Sequence, residues 1–570
     1  MNAKYIHSNP AIYSLKAYAK KYCNSCEEEV EIVEYTINQS RDFILADLYK
    51  RQPLVAAFSC YIWNWSMIQE VITEIPKILP DTDIWLGGPE VSFHAKELLK
   101  RYPMVTGIMI GEGEETFSEL VQHYCVHDRG LDHVRGIVTA DGYTGDRMPV
   151  ILDDIPFLYE DLSLFENRII YYESQRGCPF RCAYCLSSID KTVRLRSMEL
   201  VEKELQFFLD NEVKQVKFID RTFNCNAKHA FDVWSYIFEH DNGVTNFHFE
   251  IAADLITKEQ LELISLMRPG LIQLEIGVQS TNAETLQAIN RYTDLEQLRG
   301  IVDTIKGYRN VHQHLDLIAG LPYEDYQSFA KSFNEVYAMR PQQLQLGFLK
   351  VLKGSPIEER AGEYGIIYSS RPPYEVLYSN WISYADVQRL KGVEEMVELY
   401  YNSGQFVHTL PILEQEFYSA FEMYEALAQY YEEHNYFVQV PARGYRYQVL
   451  LEFAIEKNPA RGELYRELLT YDMYLRENLK SRPAFADSQE HYKEQVKEFY
   501  KQEAQEWCYL KGYEQYNSVQ LQKMTHMEYF TYPVWEAKLT ERLEKPVFVL
   551  FDYMHRNLIT NDAQTFVIDM

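Results

Sequence analysis

Short apolar runs alternate with longer stretches of helical spacing over residues 1–150. Apolar positions that recur every three to four residues predict helices, and short apolar runs bounded by turn residues predict strands. The predicted helices are Ala11–Tyr22, Arg41–Lys50, Trp65–Leu79 and segments beginning at Ser92 and Thr116. The predicted strands are Glu29–Thr36, Leu54–Ser59, Asp83–Leu86 and Val105–Ile110. Repetition of strand, glycine turn and helix is typical of a doubly wound parallel sheet.

The beginning of this segment lacks a clear first strand. A doubly wound domain normally opens with a strand near the centre of its sheet, yet only Ala3–His7 precedes the first predicted helix. We therefore expect either a short first strand or a given start that lies late in the natural chain. Cys23 and Cys26 form a C-x2-C pair at the end of that helix, and no second pair accompanies them to support a redox or metal role.

Residues 160–365 repeat a strand-then-helix pattern six times. The predicted strands are Arg168–Ser174, Lys214–Asp220, Asn246–Asp254, Leu271–Gln279, His314–Gly320 and Gln343–Val351. The predicted helices are Ser197–Leu209, Ala227–Glu239, Lys258–Met267, Ala283–Asn290, Leu295–Lys306 and Tyr326–Ala338. This alternation favours parallel strands joined by helices, in six successive β/α units.

Residues 371–570 follow a different pattern, which begins at a proline pair that marks a domain boundary. Amphipathic helices are predicted at Ala385–Tyr401, Ile412–His434, Tyr445–Glu456 and Gln489–Glu506. Short strands predicted at Met527–Tyr532, Val547–Tyr553 and Thr565–Ile568 indicate a small terminal sheet. We therefore expect three domains, at residues 1–150, 160–365 and 371–570, of which the last is mostly helical.

Three cysteines at C-x3-C-x2-C spacing, Cys178, Cys182 and Cys185, carry the clearest chemical signal. Three thiolates can bind three irons of a 4Fe–4S cluster and leave the fourth iron open to a ligand. Zinc is the alternative, but structural zinc sites use four ligands, and the next candidates, Cys225 and His229, follow far along the chain. Nine cysteines among 570 residues are sparse, and no signal peptide opens the sequence, which argues against a disulfide framework.

With Tyr184 directly before its last cysteine, this motif resembles that of the radical S-adenosylmethionine (radical SAM) superfamily. The resemblance implies reductive cleavage of SAM at the open iron to a 5′-deoxyadenosyl radical. The six-fold repeat is similar to the partial barrel of these enzymes, so the resemblance implies a partial (β/α)6 barrel with the cluster loop after the first strand. One turn departs from the family: Gly320-Leu321-Pro322-Tyr323-Glu324 stands where the family has Gly-Leu-Pro-Gly-Glu, which puts a tight glycine turn in doubt.

Polar residues follow the predicted barrel strands, at the ends where barrel enzymes carry their chemistry. The candidate SAM contacts are Tyr184, Asp220, Glu250, Gln279, Ser280, Arg291 and Leu349. The resemblance places Gln279 and Ser280 near SAM and pairs Arg291 with its carboxylate, for which a planar guanidinium is suited. It also places Leu349 against the adenine. Structural alternatives stay open: Asp220 and Glu250 could hold neighbouring loops, Arg291 could be a surface residue, and Tyr184 could be a core aromatic.

The glycine turns of the first segment resemble those of the cobalamin-binding domain that precedes the radical SAM domain in the B12-dependent subfamily. The residues concerned are Ser59, Gly87, Gly88, Pro89, Glu90, Gly111, Glu112 and Gly113. The resemblance implies that they contact cobalamin, since glycine lets a large ligand lie against backbone N–H groups. Plain tight turns are the alternative. The D-x-H-x-x-G motif that supplies a cobalt ligand elsewhere is absent from this segment, so the lower axial face would be water-bound or empty.

Net charge restricts the partners. The formal charge is −28, with 84 acidic against 56 basic residues, which repels nucleic acid over long range and makes it an unlikely substrate. No apolar run approaches the roughly 20 residues that span a bilayer. We expect a cytoplasmic protein, an external electron donor of the flavodoxin or ferredoxin type, and a small-molecule or carrier-bound substrate.

The whole chain resembles cobalamin-binding radical SAM proteins that carry a C-terminal domain of unknown function. We expect an oxygen-sensitive enzyme with a 4Fe–4S cluster, SAM and cobalamin that transfers a methyl group to an unactivated carbon. One alternative is radical cyclisation or rearrangement without methylation, and another is a non-catalytic cobalamin- or cluster-based sensor. The C-terminal domain either covers the barrel mouth and selects the substrate or serves stability or oligomerisation.

Overall fold

The computed structural model describes residues 1–23, 29–126, 130–536, 538, 541–557 and 559–568. The chain forms two compact units. The first comprises Met1–Ile305, Gly320–Asp325 and Phe348–Ser383, and the second comprises Lys306–Ala319, Tyr326–Gly347 and Tyr384–Met570. Cys26 lies outside the described residues, so the C-x2-C pair receives no structural description.

The N-terminal part of the first unit is a sheet with helices on both faces. Its helices are α1 (Pro10–Tyr22), α2 (Arg41–Arg51), α3 (Trp65–Ile78), α4 (Pro89–Ser92), α5 (Ala95–Arg101) and α6 (Glu114–Val126). Its strands are β1 (Val55–Ser59), β2 (Asp83–Gly87), β3 (Gly107–Met109), β4 (Ile137–Thr139) and β5 (Gly142–Tyr143). The strand order is β1-β2-β3-β4-β5. Strands β1 to β3 pair in parallel, and β4 and β5 extend the sheet as an antiparallel hairpin.

Alternation along β2 explains why both faces are covered. Ile84 and Leu86 point into a core formed with α2, α3, α4 and α5, whereas Trp85 points into a second core that includes residues of α6. Because successive side chains of a strand point to opposite faces, a strand that is apolar throughout needs cover on both sides. The predicted α/β fold with a parallel sheet is therefore confirmed.

The strand predicted at Glu29–Thr36 is wrong. Within the described residues 29–36, the only sheet-like pairing is a single bridge between Thr36 and Asn2. The Glu34 side chain instead binds Asn2, Tyr13 and Arg168. Apolar alternation here serves packing of an extended segment, which sequence periodicity alone does not distinguish from a paired strand.

The middle segment forms the predicted parallel sheet. Its strands are β6 (Ile170–Tyr172), β7 (Gln175–Arg176), β8 (Arg194–Leu195), β9 (Gln215–Phe218), β10 (Asn246–Ile251), β11 (Ile272–Gln279), β12 (His312–Ala319) and β13 (Gln343–Phe348). Its helices are α7 (Met198–Asp210), α8 (Ala227–Glu239), α9 (Lys258–Leu266), α10 (Ala283–Ala288), α11 (Leu295–Tyr308) and α12 (Tyr326–Tyr337). Among the described residues, six of these strands form one sheet in the order β13-β12-β11-β10-β9-β6.

Two short strands stand apart from that sheet. Strands β7 and β8 pair with each other in antiparallel register and enclose residues 177–193 between them. All three motif cysteines lie in this enclosed loop. Helix α13 (Pro356–Glu359) and the antiparallel pair β14 (Ile367–Tyr368) and β15 (Val376–Tyr378) complete the first unit.

The C-terminal part of the second unit is mostly helical, as predicted. Its helices are α14 (Tyr384–Met396), α15 (Thr409–Leu413), α16 (Ala420–Glu433), α17 (Tyr445–Lys457), α18 (Gly462–Arg476), α19 (Lys493–Glu506) and α20 (Ser518–Met524). Strands β16 (Thr525–Phe530), β17 (Val547–Arg556) and β18 (Ala563–Ile568) form the predicted small terminal sheet, in antiparallel register. Across the described residues, no helix combines the length and apolar character that a membrane crossing requires.

Candidate functional site

The cysteine loop is held in a tightly folded conformation. Cys178 and Cys182 are buried, Cys185 is half-buried, and none of the described cysteines forms a disulfide. The Cys185 N–H donates to the Cys182 carbonyl at 3.1 Å, which folds the last part of the motif into a turn. Gly177 has φ +94°, and a Cβ there would lie 2.2 Å from the Thr192 carbonyl oxygen. The loop therefore needs glycine directly before its first cysteine.

Backbone contacts fix the loop between two helix ends. The Ala183 N–H donates to the Ile289 carbonyl at 2.8 Å, and the Ile357 N–H donates to the Ala183 carbonyl at 2.9 Å. Ile289 follows α10 and Ile357 belongs to the first turn of α13. These two hydrogen bonds fix the backbone between Cys182 and Cys185. Three free thiols in one fixed loop fit the donor set of an iron–sulfur cluster.

Arg291 lies against the middle cysteine. Its Nη1 is 3.8 Å from the Cys182 Sγ and 3.4 Å from the Tyr184 hydroxyl, while its Nη2 donates to the Gly277 carbonyl. Burial raises the pKa of the Cys182 thiol, and the charge of Arg291 opposes that rise. Burial likewise raises the pKa of Tyr184. A cation at this position favours the thiolate that metal binding requires.

Arg291 and Gln279 each carry a buried polar atom without a hydrogen bond among the described residues. These atoms are the Nε of Arg291 and the Oε1 of Gln279. Gln279 has φ +73°, which is uncommon for a residue with a side chain and concentrates at functional sites. One free donor and one free acceptor near the cysteine loop fit a polar ligand such as SAM.

Asp220 faces the strand that enters the loop. Its Oδ1 accepts hydrogen bonds from the N–H groups of Ser174 and Gln175, at 2.9 and 3.1 Å, and its Oδ2 accepts one from the Ser174 hydroxyl at 2.5 Å. The same hydroxyl lies 2.9 Å from the His229 Nε2. Burial raises the pKa of Asp220 to about 8. These contacts orient the segment before the cysteines, and the predicted contact with SAM stays a prediction.

Ser280 and the adjacent turn are joined by hydrogen bonds. The Ser280 hydroxyl donates to the Glu324 Oε1 at 2.7 Å, and the Asn282 side-chain amide donates to the Tyr323 carbonyl at 2.9 Å. Tyr323 has φ +63°. The left-handed turn conformation therefore forms although tyrosine occupies the position of the family's glycine.

Glu250 and Leu349 differ in their surroundings. Glu250 is half-buried on β10 and lies opposite Glu275 of β11. Leu349 is 1% exposed, and its carbonyl accepts from the Val376 N–H at 2.8 Å. Leu349 is therefore a core residue here, and the structure does not bring it together with Arg291 or the cysteines through any described contact. Both predicted contacts with SAM stay predictions.

The glycine turns of the N-terminal sheet divide into packed and open positions. A Cβ on Gly88, which has φ +107°, would lie 2.6 Å from the Cys60 carbonyl oxygen, so Gly88 is needed for packing. Gly111 has φ +74°, and no described atom lies within 4 Å of its Cβ position. The Ser59 hydroxyl accepts from the Asn9 amide at 3.0 Å. An exposed backbone at Gly111 fits close approach of a large ligand such as cobalamin.

The carboxylates of these turns are already bound by basic residues. Glu90 accepts from Lys353 at 2.7 Å and from the Tyr374 hydroxyl. Glu112 accepts from Arg194 and, at 2.8 Å, from the Val150 N–H. Burial acts to raise the pKa of Glu112, but Arg194 and Arg176 outweigh it and hold the pKa below its usual value.

Sequence reasoning missed these basic partners. Lys353 and Glu90 are 263 residues apart, and no local motif marks either member of the pair. Arg176 and Arg194 lie on either side of the cysteine motif in the sequence. Two basic residues in these positions could have indicated acidic partners elsewhere in the chain.

Three family models match successive parts of the chain. The B12 binding domain matches residues 1–121, the radical SAM superfamily residues 172–336, and a protein family of unknown function, DUF4080, residues 362–551. The predicted cofactors, a 4Fe–4S cluster, SAM and cobalamin, are those that these domains imply.

Curated proteins match about half of this chain at low sequence identity. The cobalamin-dependent radical SAM methyltransferase TokK of Streptomyces tokunonensis is 24% identical over 353 residues, which are 56% of this chain and 51% of that protein. The anaerobic magnesium-protoporphyrin IX monomethyl ester cyclase of Rubrivivax gelatinosus is 25% identical over 46% of this chain and 49% of that protein. The chain thus spans about half the length of the curated relatives it matches.

A solved structure shares the fold. The cobalamin-dependent SAM radical enzyme OxsB, with aqua-cobalamin bound, superposes with a TM-score of 0.57 at 16% identity, covering 85% of this chain and 80% of that one. The three matched domains follow one another along this chain, and the cysteine loop lies within the part that the radical SAM model matches. The chain therefore carries a B12-binding domain, a radical SAM domain and a C-terminal domain of unknown function, in that order.

Proposed function

We propose that this chain is a cytoplasmic, cobalamin-dependent radical SAM enzyme that methylates an unactivated carbon of a small-molecule or carrier-bound substrate. The observation that carries the proposal is the fixed loop of three free thiols, with Arg291 against Cys182, in a chain whose first part matches a B12-binding domain. When bound, the cluster supplies the electron that cleaves SAM, and cobalamin supplies the methyl group.

The chain's own residues prepare the site for that chemistry. Arg291 favours the thiolate of Cys182 and presents its unpaired Nε, and Gln279 presents an unpaired carbonyl oxygen. Neither atom has a hydrogen-bond partner in the described part of the chain. A ligand that bonds to both would therefore stabilise the site, because a buried polar atom without a hydrogen bond costs free energy. Asp220 orients the strand that enters the loop through Ser174 and Gln175.

The relatives support methyl transfer, but one of them is named for a different reaction, a cyclisation. The first relative is a methyltransferase, whereas the Rubrivivax protein is a cyclase of comparable identity. Radical cyclisation without methylation is therefore the second candidate. An external electron donor of the flavodoxin or ferredoxin type belongs to both proposals.

The test is anaerobic turnover of the reconstituted protein. The protein is loaded with iron, sulfide and hydroxocobalamin, reduced with dithionite and supplied with SAM labelled in its methyl group. We expect 5′-deoxyadenosine from the wild type and background levels from Cys182→Ala, because the variant lacks one of three cluster ligands. The matched control is Cys508→Ala, which removes an exposed cysteine of the second unit and should retain the activity.

The possible results separate the candidates. Normal 5′-deoxyadenosine and iron content in Cys182→Ala would refute the ligand assignment. An intact cluster without any 5′-deoxyadenosine from the wild type would favour a sensor. Once a substrate is supplied, label in its product indicates methylation, and an unlabelled product indicates cyclisation or rearrangement.

A further inference from the structure

Glu112 of the B12-binding domain bridges two arginines that flank the cysteine loop, although Arg194 also pairs with Asp190 of the loop at 2.9 Å. Arg176 of β7 and Arg194 of β8 are direct register partners, so two like charges lie across one antiparallel pair. Such pairs are destabilising unless a counter-charge joins them. The Glu112 Oε2 accepts from the Arg194 Nη1 at 3.1 Å, and the Glu112 Oε1 lies 3.5 Å from the Arg176 Nη1. The base of the cluster loop is therefore completed by a carboxylate of another domain.

Glu114 adds to this contact from the same turn. Its Oε1 accepts from the Arg176 Nη2 at 2.9 Å and from the Ser14 hydroxyl at 3.2 Å. Arg176 also binds Glu173, which precedes the loop by a few residues. The turn after β3 thus contacts the chain on both sides of the loop, at half-buried to buried positions where solvent screens charge weakly.

Glu90 makes a second contact, at the turn after β2. It is 6% exposed and is bound by Lys353 and Tyr374, both of which follow the last strand of the six-stranded sheet. The Lys353 Nζ also lies 5.9 Å from the Trp65 ring centroid and 5.1 Å from that of Tyr374. An ammonium held by one carboxylate and two aromatic rings has little freedom to move.

We infer that Glu90 and Glu112 are positioning residues that form a two-point ionic clamp, which fixes the B12-binding domain against the base of the cluster loop at one point and against the segment after β13 at the other. The clamp consists of Glu90 with Lys353 and Tyr374, and of Glu112 with Arg176 and Arg194. Both carboxylates have their partners within the protein, which favours alignment over direct contact with cobalamin. The inference rests on the proposed function only in naming the cofactors that are aligned.

The first experiment measures that alignment in the loaded protein. Pulsed electron paramagnetic resonance reads the dipolar coupling between cob(II)alamin and the reduced cluster, which depends on their separation. We expect one narrow coupling in the wild type and a broadened distribution in Glu112→Gln and in the double variant Lys353→Met/Glu90→Gln. The control is Lys77→Met, which removes an exposed ion pair with Glu74 of the same domain and should keep the narrow coupling.

The second experiment needs no cofactor. Hydrogen exchange of the cofactor-free protein should be at least about tenfold faster across residues 175–195 in Glu112→Gln than in the wild type, because local opening follows lost contacts. Unchanged exchange there, or a narrow wild-type coupling in both clamp variants, would overturn the inference. Wild-type protein that binds neither cluster nor cobalamin would instead contradict the proposed function, while the exchange measurement would still test the clamp.

Discussion

The buried Asp220 carboxyl group, which contacts the strand before the cluster loop, makes the stability of the protein depend on pH. Burial raises its pKa to about 8 from an ordinary value of 3.8. The native state therefore holds a proton that the unfolded state releases above about pH 4. Since stability falls with pH wherever the native state binds more protons, this residue costs stability progressively between about pH 4 and pH 8.

Asp220→Asn should remove that cost. The amide oxygen can accept from the N–H groups of Ser174 and Gln175, and the amide nitrogen can donate to the Ser174 hydroxyl. We expect a Tm about 2 °C or more above the wild type at pH 8, and a smaller difference at pH 5. Asp232→Asn, which alters an exposed pair with Lys228, should show no such pH dependence. A gain that is equal at both pH values would contradict the assignment.

At the scale of elements, Tyr323 adopts the left-handed backbone conformation that its turn requires, although this conformation favours glycine. Tyr323 adopts φ +63°, which costs roughly 1–2 kcal/mol for a residue with a Cβ. Its ring packs on Trp381, with centroids 4.4 Å apart, and offsets about 0.5–1.5 kcal/mol. Hydrogen bonds from Ser280 to Glu324 and from Asn282 to Tyr323 fix the turn, so the strain persists.

Two substitutions separate the cost of the left-handed backbone conformation from the stabilisation by the tyrosine ring. Tyr323→Ala loses the ring and keeps the strain, whereas Tyr323→Gly loses the ring and relieves the strain. We expect the glycine variant to be more stable than the alanine variant by about 1 kcal/mol, measured as a difference in thermal unfolding between the two proteins. An alanine variant as stable as the glycine variant would show that the turn is unstrained.

Most helices and strands could be predicted from the sequence, because the apolar period of an element is local. The strand after Val55 and the helix after Trp65 each lie within one or two residues of their predicted bounds. Helix α18 was missed because it is buried on nearly every side, including Leu464, Leu469 and Asp472, and so lacks an amphipathic stripe. The residues 29–36 were wrongly predicted as a strand because pairing depends on a partner that periodicity does not reveal.

At the scale of the whole molecule, the pair of Lys353 and Glu90 joins segments 263 residues apart. Lys353→Met leaves the Glu90 carboxylate buried without its cation. We expect a loss of about 3–5 kcal/mol, because an uncompensated buried charge is strongly destabilising. Adding Glu90→Gln should recover most of that loss, since the neutral amide can still accept from Tyr374.

Thermal unfolding of the full chain checks this expectation. Lys77→Met removes an exposed pair and should change stability by less than about 0.5 kcal/mol. A double variant no more stable than Lys353→Met alone would mean that the cost lies in lost packing of the lysine stem rather than in the isolated charge.

The sequence by itself determined the cysteine loop, its three thiols and the order of domains, because residue type, spacing and apolar period are local properties. Only the tertiary structure decided that Arg291 lies against Cys182, that Asp220 orients the strand before the loop, and that Glu90 and Glu112 are bound by basic residues. The physical reason is distance along the chain. An ion pair or a buried hydrogen bond depends on which segments the fold brings together, and the local sequence around one partner does not identify the other.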